Sequence, residues 1–336
     1  MRFDLFWILD QHPETGETAG SVLTRVLDET RLAEDLGYEG CWYAEHHFTP
    51  YGVCPSPPVL LAAAAMRTRR VRLGAAVSVL PLSGPIRLAE DYAMVDVLSG
   101  GRLDLGVGSG YLHSDYEGFG IPFAEKRPRF DEALTLMLSL FDGGAPGRDQ
   151  GFYTGPAVGL NVLPLQRPHP PIWLAIVRAE AVRPAARKGY PIMLIPYAVT
   201  LRDEDLSLFT EAYGHAYRGP SEQAPALTAA YHAFVAPSTA EAQATVLPYL
   251  DRYIESRVQH IGGTAREILR DELAIVGSPA ACVDRIRRLH ECGVRHLLMI
   301  MSFGRMPPDL VGASMTLMAD EVLPAFARNR PASARV

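Results

Sequence analysis

Eight short apolar runs, each followed by a longer amphipathic stretch, recur along the 336 residues, an order that specifies parallel strands joined by crossover helices. The runs fall at 3–9, 40–44, 71–80, 103–107, 171–177, 191–196, 229–236 and 295–301, and several are dominated by apolar residues from end to end. Strands covered on both faces read that way. Val22, Val26, Thr30, Ala33 and Leu36 recur at helical spacing, with Gly37 placed to stop the helix. Pro85 opens another helix that Ser99-Gly100-Gly101 ends. Further helices are expected over 130–141, 203–217, 240–256 and 279–292. Eight such repeats predict a (β/α)8 TIM barrel; an open doubly wound sheet is the other topology this periodicity allows.

Two stretches interrupt the repeats. Residues 143–170, after the fourth strand, are rich in Gly and Pro and read as a loop or small hairpin. Residues 257–276, after the seventh unit, form either a mobile lid hinged at Gly262-Gly263 or an inert surface insertion. No linker divides the chain, so one domain is expected over 1–328, with 329–336 a disordered tail.

A net charge of −6 without a basic block excludes a nucleic-acid surface. No apolar run reaches the roughly 18–20 residues that span a bilayer, and no signal peptide is visible. Cys41, Cys54, Cys282 and Cys292 follow no metal-ligand spacing and are too few to staple such a chain. A reduced, cytoplasmic setting is expected.

The second strand runs out into Glu45-His46-His47-Phe48-Thr49. In a parallel barrel, strand carboxyl ends open into the active-site mouth, where histidine serves as acid or base near neutral pH. The alternatives are a hydrogen-bonded structural histidine or a metal site. Adjacent strand residues point to opposite faces, so His46 and His47 make a poor ligand pair, and no bound metal is expected. After the fourth strand, Gly106-x-Gly108-x-Gly110 with Ser109 and Tyr111 forms a turn whose amides can approach a phosphate. Its spacing is not the dinucleotide fingerprint, and glycines also serve plain turns.

Glu45-His46-His47-Phe48-Thr49-Pro50-Tyr51-Gly52 resembles the E-H-H-F-T-x-[FY]-G run of the bacterial luciferase-like flavin monooxygenases. Val71-Arg72-Leu73-Gly74-Ala75-Ala76-Val77 resembles that family's third strand, and the segment from Pro85 to Arg102 its following helix and turn. The likeness runs from about residue 2 to 328. It implies an enzyme that takes reduced FMN (FMNH2) from a separate NAD(P)H:flavin reductase. Its reaction with O2 gives a peroxyflavin that oxygenates a small organic substrate. The missing nicotinamide fingerprint fits that division of labour.

Residue by residue, the resemblance implies that His46 is the catalytic acid/base and His47 its support. Ala76 and Val77 match a non-prolyl cis peptide beneath the flavin ring. Ser109, Gly110 and Tyr111 match the turn near the ribityl phosphate, where Ser109 replaces the family's arginine. At the end of the fifth strand, Val177 and Arg178 stand where relatives place small hydroxyl or acidic residues, so Arg178 is expected to supply the missing charge. Arg127 or Arg129 on the fourth helix is a further candidate; a surface ion pair is the plainer reading for each arginine. Trp7, Trp42, Trp173, Tyr111 and Tyr197 wall the pocket or fill the core. The family's dimers pack helices after the second and third strands, so Ala62-Ala63-Ala64-Ala65 is a candidate homodimer surface. A deazaflavin-dependent hydride-transfer enzyme, a non-catalytic flavin-binding protein and a metal-dependent hydrolase are the competing readings.

Overall fold

The apolar runs pair side by side and close on themselves. In order they form β1 (Arg2–Trp7), β2 (Gly40–Tyr43), β3 (Arg72–Val79), β4 (Leu103–Gly108), β5 (Ile172–Ala175), β6 (Ile192–Leu194), β7 (Leu227–Val235), β8 (Ile275–Gly277) and β9 (Val294–Ile300). The computed structural model describes residues 1–145, 147, 151–155, 157–196, 202–220, 224–225, 227–257 and 263–326. Every neighbouring pair is parallel, and the sequence β1–β2–β3–β4–β5–β6–β7–β9 returns to β1, giving the expected closed eight-stranded barrel. The open-sheet alternative is therefore excluded.

The helices are α1 (Ala19–Leu36), α2 (Pro57–Arg67), α3 (Pro85–Ser99), α4 (His113–Gly118), α5 (Lys126–Phe141), α6 (Val182–Arg187), α7 (Asp203–Ala216), α8 (Thr239–Glu255), α9 (Ala265–Arg270), α10 (Pro279–Glu291) and α11 (Pro308–Leu317). Their ends follow local chemistry. Thr18 caps α1 through the Ser21 amide, and Gly37 ends it at φ 85°, a left-handed geometry suited to glycine. Gly100 does the same for α3 at φ 71°. The described part of 143–170 contains neither helix nor strand.

Three features depart from expectation. The short α4 and the terminal α11 were not anticipated, and β8 begins at the end of the supposed insertion. Among the described residues that strand pairs with the upper end of β7 alone, outside the barrel (Ala233↔Ile275, Phe234↔Val276, Val235↔Gly277). The described part of 257–276 therefore carries α9 and β8, while Gly262, half of the expected hinge, lies outside the described residues, as do the 329–336 tail and Tyr197.

The C-terminal end of α8 reaches the loops at the barrel's mouth. Arg252 Nη1 donates to the Gly304 carbonyl at 2.9 Å, the Gly304 amide donates to Asp10 at 2.6 Å, and the Tyr253 and Tyr51 hydroxyls meet at 3.1 Å. This helix forms part of a roof.

Of the aromatic residues for which pocket wall and core were the alternatives, two lie in the core at the barrel floor. Trp42 and Trp173 meet edge to face at 5.3 Å, with the Arg2 guanidinium 5.9 Å from each ring centroid. Trp7 turns toward α1, donating from Nε1 to Glu29 at 2.6 Å. Periodicity assigns a residue to a strand but does not tell how far along the barrel axis its side chain sits.

Candidate active site

The second strand's extension splits its three functional side chains. Glu45 turns toward β3, its Oε2 accepting from the Val79 amide at 3.0 Å while Oε1 shares a 3.0 Å hydrogen bond with His47 Nε2. His47 also meets Phe119 edge to face at 4.8 Å. His46 points elsewhere. Its ring lies 4.6 Å from that of Tyr51, and a Cβ added at Gly52 would come within 2.6 Å of its Cδ2. Imidazole and glycine backbone are thus in direct contact, and only glycine fits there. The two histidines face different neighbours, and among the described residues no group of three His, Cys, Asp or Glu side chains is arranged to hold a metal ion.

His46 is buried, and among the described residues its Nδ1 has no hydrogen-bond partner. Burial, reinforced by the charge of His47, pulls its pKa down to about 3. The imidazole is consequently neutral near pH 7.

Next to β2 in the barrel come β3 and then β4. The Ala76–Val77 peptide is cis, where the family resemblance placed it. The β3–β4 ladder slips there, from Ala75↔Leu105 to Ser78↔Val107. Gly108 and Gly110 keep this corner open to close approach: a Cβ at Gly108 would meet Val77 at 2.9 Å, and one at Gly110 would meet Val79 at 2.8 Å. Gly110 takes φ 67°, and the Ser109 carbonyl accepts the Tyr116 hydroxyl at 2.6 Å. Tyr111 stands 38% exposed at the rim.

A pocket opens next to this turn, lined in part by Gly108, Ser109, Arg127, Ala175, Ile176 and Lys188. Val177 and Arg178 follow directly and are exposed. Lys126 lies close enough to Arg178 that, after its partial burial, the like charge lowers its pKa further. Among the described residues, Lys126, Arg178 and Lys188 have no carboxylate partner. Such an excess of cations over a glycine turn fits a phosphate. Arg127 shares the pocket but pairs with Asp131 at 2.8 Å. Arg129 does not line it: Glu125 holds its guanidinium at 2.8 Å and the Phe152 ring stacks 4.6 Å away. Of the expected arginines, then, Arg178 stands at the site's edge uncommitted, while Arg129 is engaged elsewhere.

Sequence reasoning missed Asp115, in the first turn of α4. Its Oδ1 is buried without a partner among the described residues, and burial raises its pKa to about 6 beside Glu45 and His47. It also missed Lys126, for which the only signal was a lysine opening a helix that follows a glycine turn.

The geometry agrees with what the chain is similar to. A sequence model of the family described as luciferase-like monooxygenase matches residues 1–296. The oxygenase component of the flavin-dependent trigonelline monooxygenase of Acinetobacter baylyi is 25% identical over 98% of this chain and 97% of its own. The crystal structure of monooxygenase RslO1 from Streptomyces bottropensis superposes with a TM-score of 0.87 at 28% identity, covering 97% of this chain and 100% of that one. The FMN-bound oxygenating constituent of 3,6-diketocamphane monooxygenase from Pseudomonas putida shares the fold at a TM-score of 0.83 and 19% identity, over 98% and 99% of the two chains. A Sinorhizobium fredii relative, protein y4vJ, is 35% identical across 53% of this chain, and that match spans about half (51%) of the relative. A histidine set at the end of the second strand, a glycine turn after the fourth and a match running through both place this chain in the luciferase-like monooxygenase family.

Proposed function

We propose that this chain is the oxygenase component of a two-component system, a monooxygenase that uses reduced FMN and O2 to oxygenate a small organic substrate. The supporting observation is that one barrel mouth gathers a neutral, buried histidine and a group of cations lacking carboxylate partners. Ala76, Val77, Ser109, Gly110, Tyr111, Val177 and Arg178 would hold the flavin. Reduced FMN, when bound, supplies the electrons that activate oxygen. Lys126 and Arg178 take over the phosphate charge that Ser109 cannot provide, and Arg129, committed to Glu125, is left out. Neutral His46 accepts a proton or donates a hydrogen bond; at pH 7 it has no imidazolium proton to deliver. Burial of the ring keeps water from competing for that role.

A separate NAD(P)H:flavin reductase is the proposed source of the reduced cofactor, matching the word "component" in the name of the Acinetobacter baylyi relative. All four cysteines are free thiols, which suits the proposed cytoplasmic setting; among the described residues no helix is long and apolar enough to cross a membrane. A homodimer is proposed through α2 and α3, whose outer faces expose Val59, Met66, Met94, Val97 and Leu98. Ala64 and Ala65, expected on that face, are buried beneath it.

The test is oxygen uptake and product formation with FMNH2 against the reduced deazaflavin. FMNH2-driven oxygen uptake above the uncatalysed rate is expected. His46→Ala should leave flavin affinity nearly intact and slow turnover by about 10²–10⁴-fold. Arg178→Ala should weaken FMNH2 binding by roughly ten-fold; unchanged affinity would remove Arg178 from the phosphate site. Uptake no faster than that of free FMNH2, or activity only with the deazaflavin, would overturn the reading.

A further inference from the structure

His46 carries the proposed chemistry, yet among the described residues neither a carboxylate nor a carbonyl fixes its Nδ1. Metal-bound and catalytic histidines are ordinarily oriented by a hydrogen bond at the second nitrogen. Here the ring is held by packing, between the Gly52 backbone and the Tyr51 ring. Whatever fixes Tyr51 therefore fixes His46.

Tyr51 follows the histidine pair by only four residues, in the loop after β2, and the peptide alone does not set its ring. Its hydroxyl meets that of Tyr253 at 3.1 Å, its one hydrogen-bond partner among the described residues. Tyr253 belongs to a different part of the chain, the last turn of α8. Its ring is fully buried, lying 4.6 Å from His232 on β7 and 6.2 Å from Phe303 after β9, with the Arg257 guanidinium 5.0 Å away. The adjacent Arg252 ties the same turn to the loop after β9. Tyr253 is thus anchored on the barrel, and Tyr51 is anchored on Tyr253.

We propose that Tyr253 is a positioning residue for His46, acting through the Tyr51–Tyr253 hydroxyl pair. The roof helix α8 thereby sets the attitude of an imidazole some 200 residues earlier in the chain. The assignment rests on the reading of His46 as the proton-handling group. Its geometric core, the coupling of the two rings, stands without any flavin.

The experiment uses the full chain, with histidine ring carbons isotopically labelled and no flavin added. The His46 ring resonances, assigned by their loss in His46→Gln, are compared in wild type, Tyr253→Phe, Tyr51→Phe and the double variant. Phenylalanine keeps each ring and removes only the hydroxyl. Both single variants are expected to shift the His46 signals, and the double variant no further than Tyr51→Phe, because both cut one link. With FMNH2 and substrate, Tyr253→Phe is expected to lower kcat about five-fold while leaving the flavin Kd unchanged, the size of one lost neutral hydrogen bond. His46 signals that stay in place in Tyr253→Phe, or shifts that add in the double variant, would overturn the proposal. If the shifts appear and wild type shows no FMNH2-dependent oxygenation, the coupling holds and the proposed function fails instead.

Discussion

The floor and the mouth of this barrel contain the same kinds of side chain and treat them in opposite ways. At the floor, Asp4 accepts from Arg2 at 3.1 Å, from Trp42 at 2.7 Å and shares a hydrogen bond with His296 Nε2 at 2.8 Å. Asp104 completes the group, taking Arg2 at 2.7 Å and Arg72 at 2.8 Å. Burial alone would raise the Asp4 carboxyl; His296 and Arg2 outweigh it and hold the group well below the usual carboxylate range. At the mouth, His46 Nδ1 and Asp115 Oδ1 are equally hidden from water and have no partner among the described residues. An unmet buried polar atom costs about 1–3 kcal/mol. The floor's polar groups are thus met within the chain, whereas two at the mouth find no partner among the described residues.

The largest expected effect lies at the floor. Asp4→Asn removes the charge that Arg2 and His296 share, and unfolding by denaturant should show a loss of about 3 kcal/mol. Sign matters here. The Asp4 pKa is depressed in the folded state, so its contribution is complete above the ordinary aspartate value, about pH 4, and is lost as pH falls lower. A loss under about 1 kcal/mol would mean the floor network is decorative.

At the mouth the histidine runs the other way from a stabilising ion pair. The folded pKa of His46 is lowered from 6.5 to about 3, so between those values the unfolded chain binds the proton and the folded chain does not. Wild type should lose stability as pH falls from 6.5 toward 3, and His46→Gln should lose less over the same window. Parallel curves for the two proteins would show that this imidazole is not held neutral.

Asp115 gives a smaller effect of opposite sign. Its pKa is raised from 3.8 to about 6, so the folded state favours the protonated acid, and the penalty for ionising it is complete above pH 6. Asp115→Asn should therefore gain about 1 kcal/mol at pH 7, with no difference below pH 4. Thermal unfolding at both pH values checks it. A destabilised variant at pH 7 would instead give Asp115 a partner and blunt the contrast between the two ends.

The smallest expected change is at Phe48, which takes φ 56° and stands 68% exposed on the rim, its ring over Gly118. A bulky residue is strained in that conformation. Phe48→Asn suits the backbone better and forfeits the Phe119 contact at 5.3 Å, so the net should stay within about 0.5 kcal/mol. A larger loss would make the rim a structural element like the floor.

What could be read in the amino-acid order follows from what is local. Strand runs, the Gly37 and Gly100 stops and the histidine pair at the end of β2 depend on neighbours within a few positions. The cis Ala76–Val77 bond was legible only by family likeness. β8 escaped notice because it is an extra strand outside the eight-fold repeat, defined by its pairing with the distant Ala233–Val235 and not by its own residues. Asp115 gave no sign of being unpaired, since its missing partner is a property of three other segments. For Trp42 and Trp173 the choice between pocket wall and core stayed open because depth along a barrel depends on register and tilt, which periodicity does not carry.

That short strand has a consequence of its own. Val235 and Gly277 sit side by side as register partners, so the chain leaves the barrel for α8 and α9 and comes back to the point of departure. A detour whose two feet touch leaves the register of the strands that carry it independent of its length. A chimera joined at these two positions would carry the Tyr253 hydroxyl with it, and so exchange the tie to Tyr51 in one piece.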